Sequence, residues 1–465
     1  MTRVPRSGLL QQSRLLLIGF LAFSGCTDTA PTGPSPSAIA LARSAGGTGP
    51  TVKSTVPDSA TVDTTLNVRV LGRGFDAGSR ADWAFKGVVS DKIVTNSTQF
   101  VSSTELVANI TIARDANLGK HDVIVTTSAG KGGIGTELFA VTLKAIDLGT
   151  LGGTYSRAYG INNSGDIVGV SRPGVGVERA TYWQHISPTT WSIRQLSAAP
   201  GETQSGAAGI NDAGVMAGWT YGPAADGSIQ GDPVRWLSQA SAPENLGSQG
   251  WEAGAINLAG QILGSMTVDG ATHAFLWENG VITDLGHLGG GQSQAFGINS
   301  SGDAVGYSRV TPYPGGRTRA VVWKAGVIKE LPMLPGGTGD AMARRINDAG
   351  VIVGQSPNAA GETHAVRWLP SPGEPSGYRI EDLGLGFSVA RAINNNGEIV
   401  GEYYKSGAWR PFYWHPVTGK IDLPPLRNGA DAQALAINDA RVVVGSGYPR
   451  STGSDLHAIV WIGIP

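Results

Sequence analysis

The sequence has little cysteine, almost no net charge and no long apolar run, and each shortage excludes a class of protein. Its 465 residues include one cysteine, Cys26, so no disulfide within the chain holds the fold and packing must do so. The 35 lysines and arginines almost balance the 36 aspartates and glutamates, which argues against an electrostatic grip on nucleic acid or on an anionic membrane surface. The motifs G-x-S-x-G, H-E-x-x-H and the phosphate-binding P-loop do not occur, so no enzyme is predicted.

The apolar run near the N-terminus is typical of a secretory signal. LLLIGFLAF (Leu15–Phe23) is too short to span a bilayer. Three basic residues precede it, namely Arg3, Arg6 and Arg14. FSGC resembles a bacterial lipobox, with Phe23 in the place of the usual leucine and Cys26 in the place of the lipidated cysteine. We therefore predict a signal peptide over residues 1–25, lipidation of Cys26, and export as an outer-membrane or cell-surface lipoprotein; the alternative is secretion behind an ordinary signal peptide.

Two segments separate this signal from the repetitive part of the chain. Residues 26–50 are rich in Thr, Pro, Ser, Ala and Gly and are predicted to be a disordered tether. Residues 51–143 alternate apolar and polar side chains at period two, which predicts a small all-β domain. Three stretches of this domain resemble the immunoglobulin-like IPT/TIG family: VRVLGRGFDAG (Val68–Gly78), STELVANI (Ser103–Ile110) and LGKHDVIVTT (Leu118–Thr127). The resemblance implies a spacer or an adhesive module.

From residue 144 onward the chain repeats one phrase seven times. An Ile-Asn pair recurs, with an Ala four residues before the Asn and a Gly seven residues after it. The asparagines are Asn162, Asn211, Asn257, Asn299, Asn347, Asn394 and Asn438. Each unit also carries one tryptophan: Trp183, Trp236, Trp277, Trp323, Trp368, Trp414 or Trp461. A period of about 45 residues indicates structural units that stack side by side.

Each unit reads as four short strands. In one unit QAFGIN and DAVGYS are joined by a turn that ends at Gly302, and in another HAFLW and VITDLG are joined by ENG. Repeated four-stranded meanders of this length are typical of β-propeller blades. The position two before each Asn is Gly or Ala in six units, as an innermost crowded strand requires, and Arg345 is the exception that is expected to project into the channel.

The two ends of the repeats complement each other. The repeat region begins with a lone fourth strand, KAIDLG (Lys144–Gly149), and ends with a lone third strand, HAIVW (His457–Trp461). Pairing them would remove two exposed sheet edges. We therefore predict, over residues 144–465, a seven-bladed β-propeller closed by an N-terminal strand that joins the C-terminal blade.

The repeats resemble the HAF family of bacterial extracellular repeat proteins. The resemblance lies in HAFLW (His273–Trp277) and in two longer phrases, DLGTLGGTYSRAYGINNSGDIVG (Asp147–Gly169) and DLGHLGGGQSQAFGINSSGDAVG (Asp284–Gly306). It implies an exported repeat protein and brings no catalytic residues with it.

A polar residue four positions before each tryptophan is matched by a polar residue in the fourth strand. In the unit where the first of these is Asp232 the second is Asn245, so a like-charge pair is avoided. This matched change favours structural ion pairs over the alternative, a catalytic histidine. The predicted pairs are His273–Asp284, Arg319–Glu330, His364–Asp382, Arg410–Asp422 and His457–Asp147.

The Asn and Asp residues of the turns, as in INDAG and INNNG, raise the alternative of a calcium site. Calcium needs six to eight converging oxygens. Other units have Leu258 or Ser300 at the corresponding place, so turn chemistry is sufficient. We predict no metal and no cofactor.

Aromatic residues are concentrated in the loops that open on one face of a propeller. They are Trp219, Tyr221, Trp251, Tyr307, Tyr313, Tyr403, Tyr404 and Trp409. Aromatic rings beside glycine-rich loops suit sugar or peptide surfaces. The leading hypothesis is a monomeric binding platform for an unidentified protein or glycan at the cell surface. The alternatives are a propeller enzyme acting on polysaccharide, a lyase or a glycosidase, and a purely structural or adhesive surface protein.

Overall fold

The computed structural model describes residues 49–174, 176–223, 229–247, 250–312, 316–427, 430–449 and 455–464. Within these ranges the regular structure is β-strand, which confirms the all-β prediction. No helix that is long and apolar enough to span a bilayer occurs among them. The predicted signal peptide, Cys26 and the predicted tether as far as residue 48 lie outside the described residues.

The N-terminal part forms two sheets around one core. The sheet orders are β1-β3-β7-β6 and β2-β9-β8-β4-β5. The strands are β1 (Thr51–Val56), β2 (Ser59–Thr61), β3 (Thr64–Arg73), β4 (Arg80–Phe85), β5 (Val88–Val89), β6 (Ile93–Ser102), β7 (Glu105–Ile112), β8 (Gly119–Thr126) and β9 (Gly132–Thr142). Every second residue of β7 is buried, because alternate side chains face the core. In the core between the two sheets, the rings of Trp83 and Phe139 meet edge to face, with centroids 6.0 Å apart.

Residues 144–464, here called the repeat domain, contain seven antiparallel groups of four strands within the described ranges. We call each group a unit. The strands are β10 (Lys144–Asp147), β11 (Ser156–Ile161), β12 (Ile167–Ser171), β13 (Arg179–Ser187), β14 (Thr190–Gln195), β15 (Gln204–Ile210), β16 (Met216–Pro223), β17 (Ile229–Trp236), β18 (Glu244–Asn245), β19 (Gly250–Ile256), β20 (Ile262–Val268), β21 (Ala271–Glu278), β22 (Val281–Asp284), β23 (Ser293–Ile298), β24 (Ala304–Arg309), β25 (Thr318–Lys324), β26 (Val327–Glu330), β27 (Met342–Ile346), β28 (Ile352–Pro357), β29 (Thr363–Pro370), β30 (Tyr378–Ile393), β31 (Ile399–Lys405), β32 (Ala408–His415), β33 (Gly419–Asp422), β34 (Ala432–Ile437), β35 (Val443–Gly447) and β36 (His457–Ile462). The long strand β30 ends one unit and begins the next.

Local sequence accounts for the strands and turns of each unit. The second strand is apolar on both faces, and β12 is accordingly buried at all of its positions. The turn after β21 places Asn279 at φ +49° and Gly280 at φ +84°, as a tight hairpin requires. Arg441, which replaces the turn glycine of the last unit, also takes a left-handed φ of +61°. Its Nε lies 2.7 Å from an oxygen of the buried Glu398, which helps to hold that turn.

The two ends of the repeat domain pair with each other. Strand β10 lies antiparallel to β36, with Lys144 opposite Ile462 and Asp147 opposite Ile459. The backbone N–H of Ala458 donates to Ser156 Oγ at 2.9 Å, which ties the last unit to the first. The N-terminal strand therefore supplies the fourth strand of the unit that holds the C-terminus.

A close backbone approach explains the recurring glycine. The pairing of the first two strands shifts register at the same place in all seven units, where one residue of the first strand is left unpaired in a β-bulge. A Cβ on Gly306 would lie 1.9 Å from the carbonyl oxygen of Gln294. A Cβ on Gly169 would lie equally close to the oxygen of Arg157. Glycine is needed here for space, since neither residue has a left-handed φ.

The recurring asparagine both closes a turn and joins neighbouring units. Asn299 Oδ1 accepts the backbone N–H groups of Ser301 and Asp303, at 3.1 and 2.9 Å. Each asparagine Nδ2 also donates to the carbonyl oxygen of the asparagine in the next unit. We call this chain of bonds the asparagine belt. Its links are Asn162–Asn211 (3.2 Å), Asn211–Asn257 (3.0 Å), Asn257–Asn299 (3.0 Å), Asn299–Asn347 (3.4 Å), Asn347–Asn394 (3.1 Å), Asn394–Asn438 (3.1 Å) and Asn438–Asn162 (3.0 Å).

Replacing Asn438 with Ala is expected to lower the free energy of unfolding by about 2–3 kcal/mol. The substitution removes the hydrogen bond to the carbonyl of Asn162 in the first unit and leaves the N–H of Val442 without its partner, and Asn438 itself is only 4% exposed. Asn358→Ala is the matched control, because Asn358 accepts two backbone N–H groups of its own turn and its hydrogen bonds stay within one unit. Its loss should stay below about 1 kcal/mol. Urea unfolding followed by circular dichroism measures both, and equal losses would contradict a stabilising role for the belt.

Candidate ligand-binding cavity

The seven bulged residues line one shared cavity of about 390 Å³. Each stands three positions before a belt asparagine. They are Tyr159, Ala208, Gly254, Phe296, Arg344, Arg391 and Leu435. A bulge re-aims the side chain of its extra residue. In this fold all seven units direct that side chain into common space.

The cavity lies toward the end of the repeat domain where the chain enters each first strand. Arg157 and Glu252, two residues before their bulges, line it as well. The connections between units and the loops between second and third strands are at this same end, which is the end predicted to carry the ligand face. The asparagine belt lies at the other end, around a separate cavity of about 270 Å³.

Positive charge predominates in the cavity. Four arginines line it: Arg157, Arg344, Arg345 and Arg391. Arg391 Nε donates to an oxygen of Glu402 at 2.8 Å, and Glu402 is only 1% exposed, so the charges of this pair largely cancel. Glu252 lies at the border, where the hydroxyl of Tyr221 is 3.5 Å from its carboxylate.

Arg344 and Arg345 are held mainly by neutral groups. Arg344 donates to the amide oxygen of Gln355 at 3.3 Å, and its buried Nε has no partner. Arg345 donates to the carbonyls of Phe296 and of Arg344. Burial, reinforced by the nearby charge of Arg391, lowers the pKa of both guanidinium groups to about 10. Both therefore stay protonated at neutral pH, in surroundings that solvate charge poorly.

Two aromatic pairs border the cavity. The rings of Tyr159 and Trp219 have centroids 6.2 Å apart, and those of Phe296 and Tyr307 have centroids 5.8 Å apart. The indole of Trp219 lies against Gly206, where an added Cβ would stand 2.2 Å from the ring. A glycine at that position therefore makes room for the indole.

An arginine accompanies each aromatic pair. The guanidinium carbon of Arg157 lies 5.5 Å from the ring centroid of Tyr159, and that of Arg344 lies 5.1 Å from the ring centroid of Phe296. Arg157 also donates to the side-chain oxygen of Gln433 at 2.7 Å. The wall thus combines fixed cationic groups with aromatic faces.

Of the aromatic residues predicted to form a ligand face, Trp219 lines the cavity. Tyr307 packs against Phe296, which lines it, and Tyr221 contacts Glu252 at its border. Two others cannot be placed, because the whole of Tyr313 and the side chain of Trp251 lie outside the described residues. The remaining three lie elsewhere.

Tyr403, Tyr404 and Trp409 do not line this cavity, and a ligand face at Tyr404 and Trp409 stays a prediction. Tyr403 is 7% exposed and its hydroxyl donates to Asp422 at 2.8 Å, so it packs between strands. Tyr404 and Trp409 form a separate patch with Phe387, with ring centroids 5.2 to 6.1 Å apart. Consecutive residues of a strand face opposite sides, which is why Tyr403 is buried and Tyr404 is exposed.

Four of the five predicted ion pairs have the predicted partners in contact. They are His273 Nδ1–Asp284 (2.8 Å), His364 Nδ1–Asp382 (2.7 Å), His457 Nδ1–Asp147 (2.8 Å) and Arg319 Nε–Glu330 (3.2 Å). Burial opposes protonation of His364, but the hydrogen bond to Asp382 raises its pKa above the ordinary value. None of these residues lines the cavity, and each pair links the third strand of a unit to the fourth.

The fifth predicted pair, Arg410 with Asp422, is replaced by other contacts. Arg410 donates to the carbonyl of Ala430 at 3.1 Å. Asp422 accepts instead from Tyr403 and from Lys420. Lys420 stands two residues before Asp422 in β33 and therefore shares its face of the sheet, which lets it reach the carboxylate.

The carboxylates at the belt end serve as acceptors between units. Asp212 accepts the backbone N–H of Asn163, and Asp439 accepts that of Asn395, both at 2.8 Å. In the part of the chain that the structure describes, no group of three or more His, Cys, Asp or Glu side chains is placed to hold a metal ion.

No family model matches the sequence, and no curated protein matches it. Similar solved structures include the β-propeller domain of the Trilobed protease from Pyrococcus furiosus, at 9% identity and a TM-score of 0.43, covering 66% of this chain and 95% of that one. TolB from Acinetobacter baumannii has 11% identity and a TM-score of 0.33, over 57% and 61% of the two chains. The Hadza microbial sialidase Hz136 has 9% identity and a TM-score of 0.36, over 89% and 94%. These neighbours are propeller proteins; at such values their activities do not carry over to this chain.

The sequence contains a signal for the cavity that lies outside its constant columns. In the repeated phrase the Ala, the Ile and the Asn are fixed, whereas the position three before the Asn ranges from Gly254 to Tyr159 and Arg344. Variable positions on an otherwise constant scaffold are the places where the side chains that meet a ligand can differ. Only Arg345 was expected to face the channel, and it lines both this cavity and a smaller one of about 180 Å³.

Proposed function

We propose that this chain is an exported, lipid-anchored bacterial surface protein of the HAF-repeat type, whose repeat domain binds a ligand in the arginine-lined cavity. Export and anchoring rest on the signal-like run Leu15–Phe23 and on Cys26. The IPT/TIG-like domain over residues 51–143 would act as an immunoglobulin-fold spacer between the anchor and the binding domain.

The repeat domain is, in this proposal, a closed seven-bladed propeller. Two observations support closure: β10 pairs with β36, and the asparagine belt returns from Asn438 to Asn162. Closure matters for function because it surrounds the cavity with all seven bulged residues. A ring also removes the exposed sheet edges that an open array would leave.

The composition of the cavity wall is the main observation that supports a binding function. The scaffold positions repeat from unit to unit, whereas the wall positions differ and include arginines and aromatic rings. Sites for small ligands are concave and combine apolar faces with a few polar groups that fix orientation. Packing alone gives no reason to collect buried guanidinium groups in one cavity.

Binding is favoured over catalysis by the state of the carboxylates. Glycoside hydrolysis needs two carboxyl groups that flank the scissile bond. Among the described residues that line the cavity, Glu252 is the one carboxylate, while Glu402 is engaged by Arg391. We assign no reaction to this site.

The proposal predicts that Trp219→Ala lowers the affinity for any ligand found on a glycan or peptide array by about tenfold, since one aromatic face is worth about 1–1.5 kcal/mol. Trp409→Ala is the matched control: it removes a tryptophan from the separate aromatic patch and should leave binding unchanged. Titration of the purified protein measures both variants. If only Trp409→Ala lost binding, the binding site would lie at the separate aromatic patch. If no ligand on the array bound the protein, a purely structural role would be favoured.

A further inference from the structure

The charge of the cavity narrows the class of ligand. Among the described residues, Arg344 and Arg345 form no ion pair with a carboxylate, unlike Arg391, which has Glu402. Removing a charge from water is unfavourable unless a partner of opposite sign replaces the lost solvation. An anionic group on a ligand would be that partner.

Arg345 sets the direction in which such a ligand enters. It occupies the column that is Gly or Ala in the other six units, and it lines both the main cavity and the smaller one beyond it. Its Cδ lies only 3.3 Å from where a Cβ on Gly297 would stand, so the side chain packs closely against the first strand of the neighbouring unit. The inner end of the cavity is therefore cationic, and a ligand would lead with its anionic end.

The walls favour a ring-shaped ligand. A volume of about 390 Å³ lies in the range of small-molecule sites, roughly 300–1,000 Å³. Ala208 and Gly254 leave room among the larger wall residues, while the two aromatic pairs offer flat faces for a sugar ring. A guanidinium group is planar and matches the two oxygens of a carboxylate.

We propose that the cavity binds the terminal carboxylated sugar of an acidic polysaccharide. The carboxylate faces Arg344 and Arg345, and the sugar ring packs against the aromatic pairs. This inference rests on the binding function proposed above. An acidic peptide would meet the same charges, but its carboxylate side chains carry no ring that could pack against the two aromatic pairs.

Calorimetric titration of the purified protein with uronic acid trisaccharides tests the proposal. The panel contains galacturonate, glucuronate, mannuronate and guluronate oligomers, each with its carboxyl-reduced neutral counterpart. At least one acid should bind about tenfold or more tighter than its neutral counterpart, and the preference should weaken as salt is added.

Variants of one residue separate charge from shape. Arg344→Gln should abolish the preference for the acid, and Arg344→Lys should lose part of it, because lysine keeps the charge without the planar fork. Arg80→Gln, which removes an exposed arginine of the N-terminal sheets, should bind like the unmodified protein. Thermal melting of each variant shows that the fold is retained.

Three results would overturn the inference in distinguishable ways. If acidic and neutral sugars bound equally well, and Arg344→Gln changed neither affinity, the proposed recognition of a carboxylate would be wrong. The proposed binding function would still stand. Tighter binding of a glutamate hexapeptide than of any saccharide would replace the ligand class. No binding of any array or panel member would remove the binding function itself.

Discussion

Protein carrying Ala in place of Gly401 is expected to lose more than about 4 kcal/mol of stability, or to fail to fold its repeat domain. The new Cβ would lie 2.0 Å from the carbonyl oxygen of Val389 and 3.1 Å from the Cα of Ala390. Both atoms belong to the backbone of the bulged strand, so no side-chain rotation relieves the overlap. The two strands would have to separate and expose Val400, which is fully buried.

Gly254→Ala is the control for this experiment. Gly254 also lies in a strand of the repeat domain, but no heavy atom stands within 4 Å of where its Cβ would be. Its stability should change by less than about 1 kcal/mol. Soluble yield, thermal melting and urea unfolding compare the two variants. If Gly401→Ala proved as stable as Gly254→Ala, close approach would not be the reason for the glycine column.

Trp461→Ala should lower the free energy of unfolding by about 3–5 kcal/mol. Trp461 is completely buried, and its indole N–H donates to the carbonyl of Pro424. It lies in β36, the strand that pairs with β10, and packs with Val443 and Leu423. Its removal would leave a large cavity where the two ends of the repeat domain meet.

Trp236→Ala makes the comparison that tests this junction. Trp236 is equally buried in a unit built from one continuous stretch of chain, and it donates to the carbonyl of Ser197 at 3.0 Å. If the pairing of β10 with β36 is as firm as the pairing within a continuous unit, the two variants should lose amounts of unfolding free energy that agree within about 1 kcal/mol. Urea unfolding followed by circular dichroism measures both losses. If Trp461→Ala cost about 1 kcal/mol or less while Trp236→Ala cost much more, strands β10 and β36 would not be firmly paired in solution.

The strands were predictable because their signals are local. Period-two alternation, a turn with Asn279 and Gly280, and a second strand that is apolar on both faces each act over a few residues. The pairing of His273 with Asp284 was predictable for the same reason, since both residues belong to one hairpin. Arg410 and Asp422 show the limit of such reasoning, because Lys420 competes for the same carboxylate.

The constant columns were visible in the sequence, but their physical causes were not. The asparagines were assigned to turns, and the structure adds their donation to the next unit, a contact between residues more than 40 positions apart. The glycine column was visible only as a recurrence, and the structure gives its cause: the backbone of the first strand approaches too closely for a Cβ. Both causes depend on the distance between two strands, and the sequence of one strand does not show that distance.

By itself, the sequence determined the all-β class, the repeating unit, its four strands and most of its cross-strand pairs, because hydrogen bonding and burial within about 45 residues set these features. Only the tertiary structure decided that Tyr159, Phe296, Arg344 and Arg391, from four different units, meet around one cavity. That convergence depends on the bulge that turns each of these side chains inward and on the arrangement of all seven units around a common space. The bulge forms within each unit, whereas the arrangement of the units depends on contacts between strands of different units.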